Sequence, residues 1–258
     1  MLVRCGLMTS AKRNGCCKAI SVVYGRAADI MMALQYDIQQ EKDFSYKGLS
    51  TDEIISHIVD FVTLLWQNHP FREGNTRTTA VFVIKYLRSI GFKVDNDLFA
   101  NNSWYFRNAL VRANYRNPSK GIEPNKSFLI RFFRNLMLGE HHELKNRYML
   151  IGYSDTDEPH TSTHTSTHTS FDETASTLSE NIKRLLVAIG TDEKSVKEIM
   201  EAVGLKNRPN FLEYSLTPAI IEGLVKMKYP NSPRHPRQKY LLTVKGLATY
   251  NELEKAVR

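Results

Sequence analysis

A polar segment at residues 69–77 separates two stretches that have the hydrophobic spacing of helices. Before it, Ser50 and Glu53 match a capping box, and apolar residues then recur at intervals of three and four as far as Pro70. Proline ends a helix, and the Gly-Asn pair later in the segment favours a turn into a second helix. The segment is therefore predicted to be a short loop whose two ends are fixed by helices.

The spacing of apolar residues predicts that residues 26–150 are mostly α-helical. Residues 19–24 differ, because a run rich in β-branched residues and closed by Gly25 predicts a short strand or half of a hairpin. The predicted helices cover residues 26–40, 50–68, 77–90, 99–114 and 127–138.

Changes in charge and composition divide the chain. Its formal net charge is +8, and two basic stretches, residues 1–150 and 178–258, flank an acidic stretch at 151–177. A modest basic excess fits a nucleotide or nucleic-acid partner, but it also fits an ordinary solvated surface. We predict an irregular N-terminus at residues 1–25, a helical core at 26–150, a linker at 151–177 and a second domain at 178–258.

The acidic stretch contains a four-residue repeat with histidine at His160, His164 and His168. Histidines four apart share one face of a helix and are able to hold a metal. The Thr and Ser residues between them disfavour a helix, because they are stiff at χ1 or compete for backbone hydrogen bonds. We therefore interpret the repeat as a low-complexity linker.

Residues 178–258 have the pattern of a winged helix-turn-helix module. Two short helical stripes end at Gly190 and Gly204, and a third helix is predicted over residues 209–226. A basic, proline-rich loop follows, then a predicted strand at 239–243 and a last helix at 244–256.

Basic residues of this module lie where a winged helix contacts DNA phosphates. The third helix itself is poor in Arg and Lys on its exposed positions, so a protein-docking or dimerising role is preferred over sequence-specific DNA binding. The basic residues concerned are Arg208, Arg234, His235, Arg237 and Lys239.

Residues 69–77 bring a candidate base and a candidate metal ligand into one loop. His69 ends the first predicted helix and is able to take a proton near neutral pH. Glu73, four residues later, offers the hard carboxylate oxygen that Mg²⁺ prefers.

The same loop also has the features of a phosphate site. The backbone amides of Gly74, Asn75 and Thr76, at the start of the next predicted helix, are expected to point at an anion. The guanidinium of Arg77 has a geometry that matches phosphate oxygens. We therefore predict a site for a nucleotide di- or triphosphate beside a hydroxyl that His69 deprotonates.

These residues resemble the signature of the Fic family, His-x-Phe-x-Asp/Glu-Gly-Asn-x-Arg, and residues 26–150 resemble the Fic helical core. Proteins of this family transfer a nucleotidyl or phosphoryl group, most often AMP from ATP, to a protein hydroxyl. The resemblance implies that His69 is the general base for a Ser, Thr or Tyr hydroxyl of a target protein. It also implies that Glu73 holds Mg²⁺ and that ATP is the donor substrate.

The resemblance extends to the rest of the loop and to the flap. It implies that Gly74, Asn75 and Arg77 form the phosphate-binding nest and that Phe71 packs inward. Residues 22–25 resemble part of the hairpin flap that holds the target by strand addition. The predicted fold class is mainly α: a Fic-type helical core with a short β-hairpin flap, and a small C-terminal winged helix-turn-helix domain.

Two positions depart from the Fic pattern. Thr76 stands where the family usually has glycine, and Ala80 stands where it usually has a second arginine. The loss of that guanidinium leaves the donor and the transferred group open. The leading interpretation is a protein adenylyltransferase; the alternatives are a Doc-like phosphotransferase, or an inactive nucleotide sensor that binds DNA or protein through the winged helix.

A second motif, Ser176-x-x-x-Glu180-Asn181, resembles the inhibitory helix motif of some Fic proteins. The inhibitory Glu normally pairs with the second arginine, which is absent at Ala80. The preferred interpretation is that Ser176 or Ser179 caps the first helix of the C-terminal domain.

The aromatic run at residues 104–106, with Arg107 and Arg112, has two interpretations. It either contacts a base or a target protein, or it belongs to the helical core. Aromatic residues at helical spacing favour the core.

The cysteines and the apolar runs bear on location. Cys5, Cys16 and Cys17 are odd in number and confined to the first seventeen residues, so they form no disulfide framework for the chain. No run approaches the roughly 20 apolar residues of a membrane span. We expect a cytoplasmic protein whose partners are a nucleotide, a target protein, DNA at the winged helix and a second copy of itself in a homodimer, but no membrane.

Overall fold

The structure is a computed structural model that describes residues 22–151 and 178–257. The cysteines, the histidine repeat, Ser176 and residues 19–21 of the predicted strand lie outside the described residues. Within these residues the chain is mostly helical with one two-stranded antiparallel sheet, which confirms the predicted fold class. None of the helices described here combines the length and hydropathy of a membrane-crossing segment.

The described residues form two compact units. The predicted four-part division of the chain stays a prediction. The first unit consists of residues 22–44, 56–83 and 96–151, and the second of residues 45–55, 84–95 and 178–257.

Aromatic packing organises the first unit. The ring of Phe99 lies 4.9 Å from that of Phe106 and 5.0 Å from that of Phe132, measured between centroids, and all three are buried. The helices up to residue 149, of which α2 and α3 each lie partly in the second unit, are α1 (Ile30–Asp43), α2 (Thr51–Asn68), α3 (Asn75–Ser89), α4 (Asp97–Asn101), α5 (Ser103–Asn114) and α6 (Ser127–Leu138), with 3-10 turns at Pro118–Lys120 and Asn146–Met149.

The single helix predicted over residues 99–114 is wrong, because Asn102 interrupts it. Asn102 has a non-helical backbone (φ −126°, ψ 32°), and its side-chain amide donates to the carbonyl of Leu98 at 3.1 Å. An asparagine that bonds to nearby backbone offers the chain an alternative to the helix. The result is a short α4 followed by α5.

The second unit has its own apolar core, to which Leu185, Ile199, Phe211 and Leu242 contribute. Three helical segments precede a two-stranded sheet and a closing helix, as the winged-helix pattern predicts. The elements are α7 (Glu180–Ile189), α8 (Val196–Val203), α9 (Arg208–Phe211), a π turn (Leu212–Leu216), α10 (Thr217–Ile221), β1 (Val225–Met227), β2 (Tyr240–Leu242) and α11 (Val244–Val257).

The third helix of this module is shorter than predicted. It ends at Ile221, and Gly223 then adopts a left-handed conformation with φ of 73°. A Cβ atom on Gly223 would lie 2.3 Å from the carbonyl oxygen of Gly91, so only glycine fits there. The chain can therefore turn sharply into β1, where Val225 pairs with Leu242.

The strand predicted at residues 22–25 is not formed there. The N–H of Gly25 donates to the carbonyl of Gln67 at 3.3 Å, and the side chain of Gln67 donates to the carbonyl of Val23 at 3.2 Å. This segment is therefore bonded to the end of α2. The two-stranded sheet of the described residues is β1 with β2.

Candidate functional site

The loop at residues 69–77 begins with a histidine in an unusual backbone conformation. The φ of His69 is 50°, the only positive value at a non-glycine position in the described part of the chain. Its N–H donates to the carbonyl of Trp66 at 3.2 Å, and Pro70 prevents α2 from continuing. A left-handed backbone is strained for such a residue and persists only where its surroundings fix it, so the imidazole is held in place.

Asn75 fastens the loop. Its Oδ1 accepts a hydrogen bond from the N–H of Phe71 at 2.9 Å, and its Nδ2 donates to the carbonyl of Phe71 at 2.6 Å. Asn75 is buried, whereas the ring of Phe71 is 51% exposed. The prediction that Phe71 packs inward is therefore wrong, since the loop is held through the backbone of Phe71 and the amide of Asn75.

The N-terminus of α3 faces the site. Gly74 has a φ of 79°, a conformation that glycine adopts without strain, and leads directly into α3 at Asn75. The first N–H groups of an α-helix have no partner within it and carry partial positive charge. The N–H groups of Asn75, Thr76 and Arg77 lie at this end, which makes it suited to an anion.

Thr76 has a structural task at the position where the signature usually has glycine. Its Oγ1 accepts a hydrogen bond from the indole Nε1 of Trp66 at 3.1 Å. Trp66 is buried, so this hydrogen bond satisfies an N–H that is shielded from water. It ties the first turn of α3 to the last turn of α2, on either side of His69.

A single open pocket of about 480 Å³ brings the predicted site residues together. The loop forms only one wall of this pocket. Tyr24 and Trp66 form a second wall, and α5 forms a third. The loop residues that line it are His69, Arg72, Glu73, Gly74, Asn75, Thr76 and Arg77.

Aromatic rings surround His69 and keep it uncharged. The ring of Tyr24 lies 4.0 Å from the imidazole and that of Trp66 lies 5.5 Å from it, between centroids. The Nδ1 atom of His69 is buried without a hydrogen-bond partner among the described residues. Burial lowers the pKa of His69, the backbone of Trp66 opposes this in part, and the positive charge of Arg107 lowers the pKa again. The imidazole is therefore neutral at pH 7 and able to accept a proton.

The third wall of the pocket comes from one face of α5, and sequence reasoning missed it. Trp104 is 57% exposed and lines the pocket, whereas Tyr105 and Phe106 are buried. The prediction that this aromatic run belongs to the core is thus correct for two residues and wrong for Trp104. Polar residues spaced by three and four, opposite the buried stripe, were the available signal. The lining residues of α5 are Ser103, Trp104, Arg107, Asn108 and Val111.

Glu73 is the carboxylate that lines the pocket, and its side chain is exposed. No cluster of three or more His, Cys, Asp or Glu side chains with the arrangement of a metal site occurs within residues 22–151 and 178–257. Mg²⁺ commonly binds through one or two carboxylates together with phosphate oxygens and water. Glu73 therefore fits an ion that is bound together with a nucleotide.

The second unit presents basic side chains in two stretches, one at the start of α9 and one in and beside the loop that joins its strands. The loop is ordered by Gln238, whose amide bonds to both backbone groups of Tyr229, at 2.9 and 3.0 Å. Lys228 pairs with Glu193 at 2.5 Å. Six other cations form no ion pair with the residues described here: Lys206, Arg208, Lys226, Arg234, Arg237 and Lys239.

The residues of the second motif begin α7. The Oγ of Ser179 accepts a hydrogen bond from the N–H of Ile182, which confirms Ser179 as the helix cap. The carboxylate of Glu180 lies 3.7 Å from the guanidinium of Arg184, one helical turn away. An inhibitory role for Glu180 and Asn181 stays a prediction.

Two family models match the sequence. A model of the Fic/DOC family matches residues 9–87, and one of the C-terminal domain of the protein described as "Filamentation induced by cAMP protein Fic-like" matches residues 180–243. The first range contains the whole loop at residues 69–77, whereas the face of α5 that lines the pocket lies outside both ranges.

Comparisons with whole proteins gave less similarity than the two family models. A solved structure of a Fic family protein from Desulfovibrio desulfuricans G20 is 18% identical over 85% of this chain, with a TM-score of 0.28. This chain spans 57% of the length of that protein. A search of curated proteins found no match.

Proposed function

We propose that this chain, which belongs to the Fic/DOC family, transfers AMP from ATP to a Ser, Thr or Tyr hydroxyl of a target protein. Fic proteins generally transfer nucleotide-derived groups. The observation that carries the proposal is a single pocket that holds a neutral imidazole, a carboxylate and the N-terminus of a helix. These are the groups that activation of a hydroxyl beside a bound polyphosphate requires.

In the proposed reaction, His69 is the general base. Its Nδ1 is buried, so Nε2 accepts the proton of the target hydroxyl. The hydroxyl oxygen forms a bond to the α-phosphorus, the bond between that phosphorus and the oxygen bridging to the β-phosphate breaks, and pyrophosphate leaves. A base with a pKa below its usual value is already unprotonated at pH 7, which suits this step.

The phosphates of the donor are assigned to the N-terminus of α3. The N–H groups of Asn75 and Thr76 and the guanidinium of Arg77 complement negative charge there. Glu73 would hold Mg²⁺ together with the phosphates, and the ion would neutralise charge that develops on the leaving pyrophosphate.

The test is transfer of radiolabel into proteins of a cell lysate, from α-³²P-ATP and in parallel from γ-³²P-ATP, with Mg²⁺. We expect label from the α position only, and a loss of roughly 10²–10⁴-fold in His69→Ala. The matched control is His141→Ala, because His141 is exposed and does not line the pocket. This control is expected to label proteins at the wild-type rate.

The other outcomes identify the alternatives. Label from the γ position alone, lost in His69→Ala, would replace adenylyl transfer with Doc-like phosphoryl transfer. Nucleotide binding without any label would contradict transfer and favour a nucleotide sensor. In that case binding would survive in His69→Ala.

The free cations of the second unit favour a further role, binding of a nucleic-acid backbone. Arg234 and Arg237 are exposed on the loop between β1 and β2, and Arg208 begins α9. Such side chains neutralise phosphates, so binding would weaken as salt rises. A duplex-binding titration at several salt concentrations tests this: in Arg237→Ala the slope of log K against log salt should fall by roughly one. No salt-dependent binding would instead favour a protein partner.

A further inference from the structure

We propose that Arg107 of α5 binds phosphates of the nucleotide, from a different wall of the pocket than Arg72 and Arg77. The choice of ligand rests on the proposed function. The proposal deepens that function by naming a phosphate-binding residue outside the loop at residues 69–77, on a helix that neither family model reaches.

The first argument is the face on which Arg107 lies. The buried stripe of α5 includes Tyr105, Phe106 and Leu110, which fixes the rotation of the helix against the core. Arg107 lies on the other stripe, together with Trp104 and Asn108, and this stripe lines the pocket. Arg107 is therefore directed at the pocket by the packing of its neighbours.

The second argument is the pairing of Arg107 with Trp104. The guanidinium carbon lies 5.7 Å from the centroid of the Trp104 ring, within the range of a cation–π interaction. Trp104 remains 57% exposed, so core packing does not account for a tryptophan at this position. A guanidinium has five N–H donors in a planar fork, a geometry that matches the oxygens of a phosphate.

The third argument is charge. The pocket is lined by three arginines, Arg72, Arg77 and Arg107, and by one carboxylate, Glu73. This excess of positive charge matches a polyphosphate better than it matches a neutral or cationic ligand. The charge of Arg107 also lowers the pKa of His69, so the two groups act on the same space.

The fourth argument is that α3 contributes only one cation, Arg77, to the lining of the pocket. Arg77 is the last residue of α3 that lines the pocket, and one turn later the helix has Ala80. The loop and the start of α3 supply Arg72 and Arg77, so any further cation of the lining comes from another wall. Arg107 is the cation that α5 contributes to the lining.

The experiment measures binding rather than transfer, by calorimetry. The ligands are inorganic tripolyphosphate, ATP with Mg²⁺, AMP and adenosine, and the variants are Arg107→Ala and Arg107→Lys. Arg116→Ala is the matched control, since Arg116 is exposed and lies outside the pocket. Arg107→Ala should weaken tripolyphosphate and ATP roughly tenfold or more while adenosine changes by less than about twofold, and Arg107→Lys should restore part of the loss.

The outcomes separate this inference from the proposed function. If the lysate shows no transfer but tripolyphosphate binding depends on Arg107, the inference stands and the proposed function falls. If AMP is transferred but Arg107→Ala binds ATP as the wild type does, the inference is overturned and the proposed function stands. Equal weakening of ATP and adenosine would assign Arg107 a structural role and overturn the inference, as would a wild-type chain that does not bind tripolyphosphate.

Discussion

The two main walls of the pocket are held by different forces. The loop at residues 69–77 is fixed by directional contacts: a left-handed His69 and the hydrogen bonds of Asn75 and Thr76. The α5 wall is fixed from behind, by the burial of Tyr105, Phe106 and Leu110 on the opposite face of the helix. Each loop contact therefore depends on particular atoms, whereas the pocket side of α5 is free to vary as long as its back remains apolar.

The largest effect is expected from the back of α5. Phe106 is 1% exposed and packs against Phe99 and Phe132. Phe106→Ala should lower the free energy of unfolding by about 3–5 kcal/mol, because it removes buried surface and leaves a cavity. Urea denaturation measures this change.

The matched control for this prediction is Trp104→Ala, two residues away on the pocket side. Because Trp104 is largely exposed, its removal should change the free energy of unfolding by less than about 1 kcal/mol. Similar losses of unfolding free energy in both variants would mean that burial of its apolar face is not what holds α5 in place.

The next effect is expected at the loop. Asn75→Ala removes both bonds to the backbone of Phe71, and at this buried position it should cost about 2 kcal/mol of unfolding free energy. It should also lower the transfer rate, because His69 loses a fixed position relative to the N-terminus of α3. Denaturation and the radiolabel assay measure the two effects.

Phe71→Ala is the control, since it changes only a side chain that is half exposed. We expect a change in stability of about 0.5 kcal/mol or less. A larger loss of stability in Phe71→Ala than in Asn75→Ala would mean that the Phe71 side chain packs inward, as the sequence suggested.

The loop could be predicted from the sequence because its constraints are local. Pro70 ends a helix, Gly74 permits a left-handed turn, and the next residues begin a new helix, so one short segment specifies its own geometry. The long amphipathic helices could be predicted for the same reason, to within a few residues at their ends.

The α5 wall could not be predicted in the same way. The spacing of polar residues along α5 indicates a polar face, but the residue types of Trp104, Tyr105 and Phe106 do not show which of them lies on it. The packing of α5 on Phe99 and Phe132 decides which of them faces the pocket. The break at Asn102 and the close approach of two glycines beside β1 likewise depend on contacts that residue type alone does not reveal.

A smaller effect is expected at the hydrogen bond between Thr76 and Trp66. Thr76→Val preserves the shape of the side chain but leaves the buried indole N–H without its acceptor, which should cost about 1–2 kcal/mol. Thr76→Ser retains the hydroxyl and should stay close to the wild type. Equal stability of Thr76→Val and Thr76→Ser, measured by denaturation, would show that this hydrogen bond does not hold the loop.

The smallest effect links the two walls through charge. His69 must be neutral to accept a proton, so the transfer rate should rise with pH through the pKa of His69, which burial and Arg107 hold below the ordinary value of 6.5. Arg107→Gln removes the positive charge and should raise this pKa, although burial keeps it below 6.5. The acid limb of the profile of kcat/KM against pH should therefore move to higher pH. The midpoint of an NMR titration of the His69 ring should move in the same direction, and this measurement does not depend on enzymatic activity. Arg116→Gln, which changes the same charge outside the pocket, should leave both curves in place; a limb that stays fixed or moves to lower pH in Arg107→Gln would mean that the α5 wall does not act on the base.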